Sequence, residues 1–349
     1  MINSKAIVVD TLDSALGIAA RRRAKIVNAD VVAIVNFKTP NQLAKFLQSK
    51  KYELMVFSWR RGLLEAMSSS KFQNFIADNR SSTKIGLVVA DYLGLDKKFL
   101  EQERELINYV DGYWTTNQDL FNRYSSTQGI NRPIGILHDI PDYESIRCIR
   151  NQSPKLKKII WVGNSNWGSN YGKRDHKGFH EIIEPVFSKL EKTLPDYAFC
   201  IIDSFKNPLN HLSVLKQIAE SKIILQASIN EGTGLPILEG LGLGVIPIST
   251  NVGVASELLK MDFENLLLDR DTLDFEKKIL EVVKNQSNDF DKLLEIFECH
   301  ISKIMLEPMD CHLVSRKSQY GENRRMNNFI KVFLLWNYRN HKLVKSNEN

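Results

Sequence analysis

Ile224-Leu-Gln-Ala-Ser-Ile-Asn-Glu231-Gly-Thr-Gly-Leu-Pro236-Ile-Leu-Glu239-Gly-Leu-Gly-Leu-Gly244-Val-Ile-Pro247 reads as a strand, a glycine-bearing loop, a helix and a second strand. The apolar run that ends at Gln226 is strand-like, and Pro236 suits the first turn of a helix because the N–H it lacks would have no intrahelical partner there. Two strands joined through a helix belong to a parallel sheet with crossover helices. Glycines at 232 and 234 let backbone amides and a helix N-terminus approach a bound group closely, which is the chemistry of an anion site. Glu231 in the loop and Glu239, expected in the first helical turn, can accept hydrogen bonds from ligand hydroxyls. Alternatively, Glu239 only complements the helix dipole and Glu231 is an exposed loop residue.

Working outward, the same alternation fills the chain. Strands are predicted at Lys5–Asp10, Val31–Asn36, Glu53–Ser58, Lys84–Ala90 and Arg132–Leu137, with helices over Asn41–Lys50, Arg61–Asn79, Lys97–Tyr109 and Gln118–Tyr124. A polar stretch, Asp142–Lys158, then precedes a restart at Ile159-Ile-Trp-Val-Gly163. Beyond it, helices are predicted at Phe179–Lys192, Leu212–Glu220, Pro236–Gly242, Ala255–Lys260 and Phe275–Val283, and strands at Tyr197–Ile202, Lys222–Gln226 and Val245–Ser249. The expected organisation is an α/β protein of two Rossmann-like, doubly wound domains, residues 1–150 and 151–318, with a basic helical tail over 319–349. That tail carries an apolar stripe from Met326 to Leu334, which packs back on the first domain or meets a membrane. Ligands in such folds bind beyond the carboxyl ends of the strands.

Composition narrows the class. The 349 residues contain 47 Lys plus Arg against 41 Asp plus Glu and an apolar fraction of 43%, ordinary for a folded globular chain. The first 150 residues hold 21 basic and 16 acidic side chains, so the excess positive charge sits there. Four scattered cysteines make neither a disulfide framework nor a CxxC metal site. The seven histidines show no HExxH motif, and the single four-residue pair, His176 and His180, spans a helix-weakening glycine, so no protein-held metal or other cofactor is expected. No export signal or membrane span is visible, and basic residues near Arg324–Arg339 match no nucleic-acid module.

Glu231-Gly-x-Gly-Leu-Pro-x-x-Glu239, followed by Gly244-Val-Ile-Pro247 and Val252-Gly-Val-Ala-Ser-Glu257, resembles the donor site of retaining glycosyltransferases of family 4, which have the GT-B fold with two domains facing each other across a cleft. Ile159–Gly163 followed by Lys177-Gly178 is similar to the opening of the donor domain, and Val110–Asn117 to the last unit of the acceptor domain. The resemblance implies that Glu239 holds the donor ribose, that Glu231 meets the transferred sugar, and that Lys177 neutralises the diphosphate. It also implies that the backbone of Gly163, Gly232, Gly234 and Leu235 approaches the donor. Lys177 can instead be a solvated lysine beside a turn glycine.

Two departures stand out. Asn164 occupies the position where many members have an arginine, and Ser165–Asp175 is inserted after it, leaving Arg174 as a candidate for the missing charge. Asp91 lies where many members have a histidine; it either hydrogen-bonds sugar or acceptor, or only turns the chain at a strand end. Ser14-Ala-Leu-Gly17 can form an amide nest for the diphosphate, or Gly17 is a helix-start residue. Arg21-Arg-Arg23 with Lys25 reads as a solvated basic face suited to an anionic membrane surface. The implied function is sugar transfer from a nucleotide diphosphate sugar to a glycan or lipid-linked acceptor in cell-surface polysaccharide or lipopolysaccharide synthesis, at the inner face of a bacterial cytoplasmic membrane. The rivals are a non-catalytic GT-B binding or partner subunit and a GT-B nucleotide-sugar epimerase.

Overall fold

The computed structural model describes residues 4–91, 97–167, 175–285 and 290–305. They form two compact units, the first comprising residues up to Thr115 with Phe121–Leu137, the second Thr116–Leu120 with the chain from His138 onward.

The first unit contains β1 (Lys5–Val9), α1 (Ala15–Val27), β2 (Asp30–Ala33), α2 (Pro40–Lys50), β3 (Leu54–Phe57), α3 (Arg60–Met67) and α4 (Ser70–Asn79). It continues with β4 (Lys84–Val89), α5 (Lys97–Tyr109), β5 (Gly112–Thr115), α6 (Gln118–Ser126), which begins in the second unit, and β6 (Gly135–Ile136). All pairings are parallel and the strand order is β2-β1-β3-β4-β5-β6. β3 is buried along its whole length and β1 beyond Lys5, as expected for strands covered on both faces.

Three readings change here. The helix expected over Arg61–Asn79 is two helices, because Ser69 Oγ accepts the Phe72 N–H at 3.2 Å and starts a new one. The strand expected to reach Asn36 ends at Ala33 and passes into a 3-10 turn, Ile34–Asn36. The Arg21–Arg23 run is not a solvated face: Arg21 is exposed, whereas Arg23 is buried at 4%. Three consecutive helical residues turn through about 200°, and Arg23, three and four positions after the buried Ala20 and Ala19, falls on the packed face of the helix.

The second unit opens with α7 (Tyr143–Arg150), a helix within the stretch expected to be a polar connection. Asp142 Oδ1 caps it at Ser145 N, and Ile146 and Ile149, three apart on one face, are buried. Then follow β7 (Lys158–Gly163), a π-helical turn Phe179–Ile183 leading into α8 (Glu184–Thr193), β8 (Ala198–Asp203), α9 (His211–Ala219), β9 (Ile223–Gln226) and α10 (Leu235–Gly242). β10 (Ile246–Thr250), α11 (Gly253–Leu258), β11 (Leu267–Leu268), α12 (Thr272–Asn285) and α13 (Phe290–Ile304) complete it. The parallel order is β11-β10-β9-β7-β8.

In that order the chain reverses direction across the sheet between β7 and β9, so their carboxyl ends flank the topological switch point where open α/β sheets bind ligands. Gly163 and the loop after Gln226 are those two ends. Among the described residues no helix is long and apolar enough to cross a membrane. The tail expected over 319–349 and Cys311 lie outside the described residues.

Candidate active site

The loop leaving β9 is anchored before it reaches its acidic residue. Thr250 Oγ1 donates to the Ser228 carbonyl at 2.8 Å, and the Ile229 N–H donates to the His176 carbonyl at 2.9 Å. Gly178 has φ +67, and a Cβ there would stand 2.2 Å from the Ala227 carbonyl oxygen, so this position requires glycine twice over. That close approach sets Lys177 beside the loop. Its Nζ lies 2.5 Å from Glu231 Oε1, and Ser228 Oγ donates to the same oxygen at 2.6 Å.

Glu231 is 12% exposed at its side chain and Lys177 21%. Neither is the free surface residue that each alone resembles. Both bonds fall on Oε1, which leaves Oε2 as an acceptor.

Arg270 supports this turn from behind. Its Nε donates to the Ala227 carbonyl at 2.9 Å, and its Nη atoms bond the Asp175 carbonyl and Glu181. Asp175 in turn accepts the N–H groups of Phe179 and Glu181, at 3.0 and 2.8 Å.

Gly234, with φ +73, is the cap residue of α10. A Cβ there would lie 2.8 Å from Gln226 Oε1. No side chain caps this helix, and Pro236 occupies its first turn. The first amides of any α-helix lack intrahelical acceptors, so the glycine leaves the Leu235 end of α10 as a set of donors with the positive end of the helix dipole behind it.

Glu239 is the fifth residue of α10, and no acidic residue lies in the first turn. Complementing the dipole is therefore not its role. It is buried, 4% exposed, and its Oε1 is 2.7 Å from His211 Nε2. His211 opens α9, where Asn210 Oδ1 accepts the Ser213 N–H at 2.9 Å as the cap. Nothing in the sequence around His211 marks it as the partner of a residue on the next helix; only the packed fold brings the two together.

Gly163 ends β7 within the second unit. A Cβ on it would meet the Trp161 ring at 2.5 Å, so the buried indole accounts for the glycine. Beyond it, Asp203 at the end of β8 accepts from Ser165 N and Oγ at 3.1 and 2.6 Å and from Phe205 N at 3.0 Å. Burial would raise this carboxyl, but those three bonds with nearby Lys206 lower it below the usual aspartate range. Arg174 lies outside the described residues.

A second carboxylate cluster supports α11. Glu257 accepts the Gln118 N–H at 2.6 Å and pairs with His138 Nε2 at 3.0 Å. Burial would raise its carboxyl, yet the His138 bond and charge hold it below the usual glutamate range.

In the first unit, Asp91 follows β4 and is clamped by Arg60. Arg60 Nη1 bonds Asp91 Oδ1, Nη2 donates to the Asp91 carbonyl at 2.6 Å and to Tyr124 Oη at 3.1 Å, and Nε bonds Glu103. Tyr124 Oη also donates to the Asp91 carbonyl at 3.1 Å. Burial pushes Glu103 above the usual glutamate range despite Arg60. Asp91 is thus more than a strand-end turn residue, and Arg60 is a partner that sequence reading did not single out. Gly17 is packed against the loop before α1, where a Cβ would lie 2.1 Å from the Thr11 carbonyl. Its own N–H donates to Ser14 Oγ at 3.1 Å, so that amide is spent on capping α1.

Residues 172–295 match the family model described as glycosyl transferases group 1. No curated protein sequence gives a significant match. Among solved structures, the pneumococcal O-GlcNAc transferase GtfA, in complex with UDP and GlcNAc, is similar at 14% identity and TM-score 0.51, over 75% of this chain and 57% of that one. Alr3699/HepE from Anabaena, in complex with UDP-glucose, is similar at 12% identity and TM-score 0.54, over 95% of this chain and 99% of that one. Sucrose-phosphate synthase from Thermosynechococcus elongatus is similar at 10% identity and TM-score 0.54, over 86% and 94%. The chain therefore spans little more than half the length of the pneumococcal transferase and nearly all of the Anabaena protein. At such identities the likeness is one of architecture: this chain has the GT-B fold, and its second unit carries a segment similar to glycosyl transferases group 1.

Proposed function

We propose that the protein transfers a sugar from a nucleotide diphosphate sugar to a glycan or lipid-linked acceptor hydroxyl, with retention at the anomeric carbon. One observation carries the reading: Lys177, Ser228 and Glu231 form a hydrogen-bonded group beside the uncapped N-terminus of α10, at the switch point of the second sheet. A leaving diphosphate needs compensation for developing negative charge, and Lys177 with the first amides of α10 supplies it. Glu239, held by His211, accepts from the ribose hydroxyls. Glu231 Oε2 accepts from a hydroxyl of the transferred sugar.

In the reaction the bond between the anomeric carbon and the diphosphate oxygen breaks, and its electron pair stays with that oxygen. The acceptor oxygen bonds the same face of the carbon, and its proton passes to the departing phosphate oxygen. No side chain has to act as the base.

An acceptor in cell-surface polysaccharide or lipopolysaccharide synthesis fits a protein that works against an anionic membrane. With Arg23 buried, such an attachment rests on exposed residues such as Arg21 and Lys25. A thermal-shift panel of UDP-, GDP- and ADP-sugars identifies the donor, since a ligand at ~100 times its dissociation constant adds about 2.7 kcal/mol of stability. Release of free sugar from the selected donor then separates a transferase from a binding subunit. A shift without any hydrolysis or transfer counts against catalysis.

A further inference from the structure

The carboxylate of Glu231 is fixed by Ser228 and Lys177, which leaves open what fixes its backbone. Asn117, completely buried, does so. Its Nδ2 donates to the Glu231 carbonyl at 2.9 Å and to the Gly232 carbonyl at 2.5 Å. Its Oδ1 meanwhile accepts the Leu120 N–H at 2.7 Å, capping α6. One amide thus uses both of its ends, with two hydrogens on consecutive carbonyls of the glycine-bearing loop and its oxygen on a helix start.

Residues Thr116–Leu120 belong to the second unit although the chain on either side of them belongs to the first. The adjoining Gln118 N–H is also spent in the second unit, on Glu257. Asn117 is therefore held at its own backbone while it holds the loop.

We propose that Asn117 is a positioning residue for Glu231: it sets the carbonyls of residues 231 and 232 so that Glu231 Oε2 faces the reacting sugar. The proposal rests on the glycosyl-transfer reading. An amide is the one side chain of this size that can donate two bonds and accept a third in this arrangement. Aspartate has the same shape and keeps the cap on Leu120, but it presents an acceptor oxygen to two carbonyl oxygens. Asn117→Asp thus breaks the latch and spares the helix.

The first test needs no substrate. Hydrogen exchange at the amides of residues 232–234 should be about tenfold faster in Asn117→Asp than in wild type, as expected for losing one to two net hydrogen bonds, with exchange across α6 unchanged. Unchanged exchange at 232–234 overturns the proposal, as does equal acceleration throughout both units, which marks a general loss of stability.

The second test is a double-mutant cycle on hydrolysis of whichever sugar nucleotide gives the largest thermal shift in the panel. Asn117→Asp should lower kcat by about 10- to 100-fold, the scale of an ångström-level misplacement, with KM near the wild-type value. In a Glu231→Gln background the same change should cost less than about threefold, because a residue that acts through Glu231 has little left to act on. Equal losses in both backgrounds overturn the positioning role. A Glu231→Gln protein that turns over normally would instead refute the proposed role of Glu231, and the exchange result still decides whether Asn117 holds the loop.

Discussion

The carboxyl ends of the two sheets are finished in opposite ways. In the first unit, the end of β4 closes on itself: the Arg60 guanidinium bonds Asp91, Glu103 and Tyr124, so the charged groups there are committed to one another. In the second unit, the end of β9 leads through Gly234 to a helix start with no side-chain cap, and one oxygen of Glu231 carries both of its bonds. A network whose charges pair with one another, with Glu103 Oε2 left over inside it, gives a rigid, shaped wall. A helix start and a carboxylate oxygen left open offer donors and acceptors to a ligand. Under the proposed function, diphosphate and sugar chemistry belongs to the second unit, and Asp91 is a fixed acceptor whose orientation Arg60 determines.

The strongest way to break this comparison is to remove the guanidinium. Arg60→Met leaves two carboxylates without their common cation, and breaking a buried pair in this way costs about 3–5 kcal/mol. Urea unfolding should register that loss. A change below about 1 kcal/mol would show that the network is not what holds this end of the first sheet.

Acid should act instead on the second unit. His300 is buried against the His138 ring, and desolvation, with the charges of His138 and Lys303 adding to it, lowers its pKa to about 4 although Glu257 opposes the shift. The unfolded chain binds this proton near the ordinary value of about 6.5. Stability from neutral His300 is therefore complete above about pH 6.5 and is lost as pH falls through that value towards 4, by up to about 3 kcal/mol. Glu257, held below its ordinary value, adds a loss in the same direction at lower pH. His300→Phe should flatten the profile between pH 6.5 and 4; a profile as steep as wild type would contradict the assignment.

The smallest expected effect is that of a chelator. With charge compensation from Lys177 and the amides of α10, turnover should change by less than about twofold in EDTA. Abolition by EDTA with recovery in magnesium or manganese would move that compensation to an ion.

How much of this was legible depends on how far apart in sequence the deciding partners lie. The βαβ alternation, the Lys177-Gly178 pair and the spacing of Glu231 from Glu239 are local patterns, and they point to a candidate site on the second sheet from the sequence alone. Helix ends were harder. A run of apolar spacing over Arg61–Asn79 hides the Ser69 cap, and the helix bearing Glu239 starts one residue before the proline, which puts the acid in the second turn. Partners across the fold left no local trace: Asn117 meets residues over a hundred positions away, His211 meets a residue on the following helix, and Arg60 joins three side chains from three different segments. Such contacts are set by topology, while periodicity reports only which face of an element is apolar.

The division of labour between the two glutamates is the claim on which the account stands. Calorimetric titration of the nucleoside diphosphate of the selected donor into Glu239→Ala and Glu231→Ala, with turnover measured on the same preparations, tests it directly. Glu239→Ala should weaken nucleotide binding by about 1.5–3 kcal/mol, the loss of a charged hydrogen-bond acceptor, and Glu231→Ala should bind the nucleotide within about twofold of wild type while losing most of its turnover. Equal loss of nucleotide affinity in both variants, or unchanged affinity in a folded Glu239→Ala protein, would contradict it.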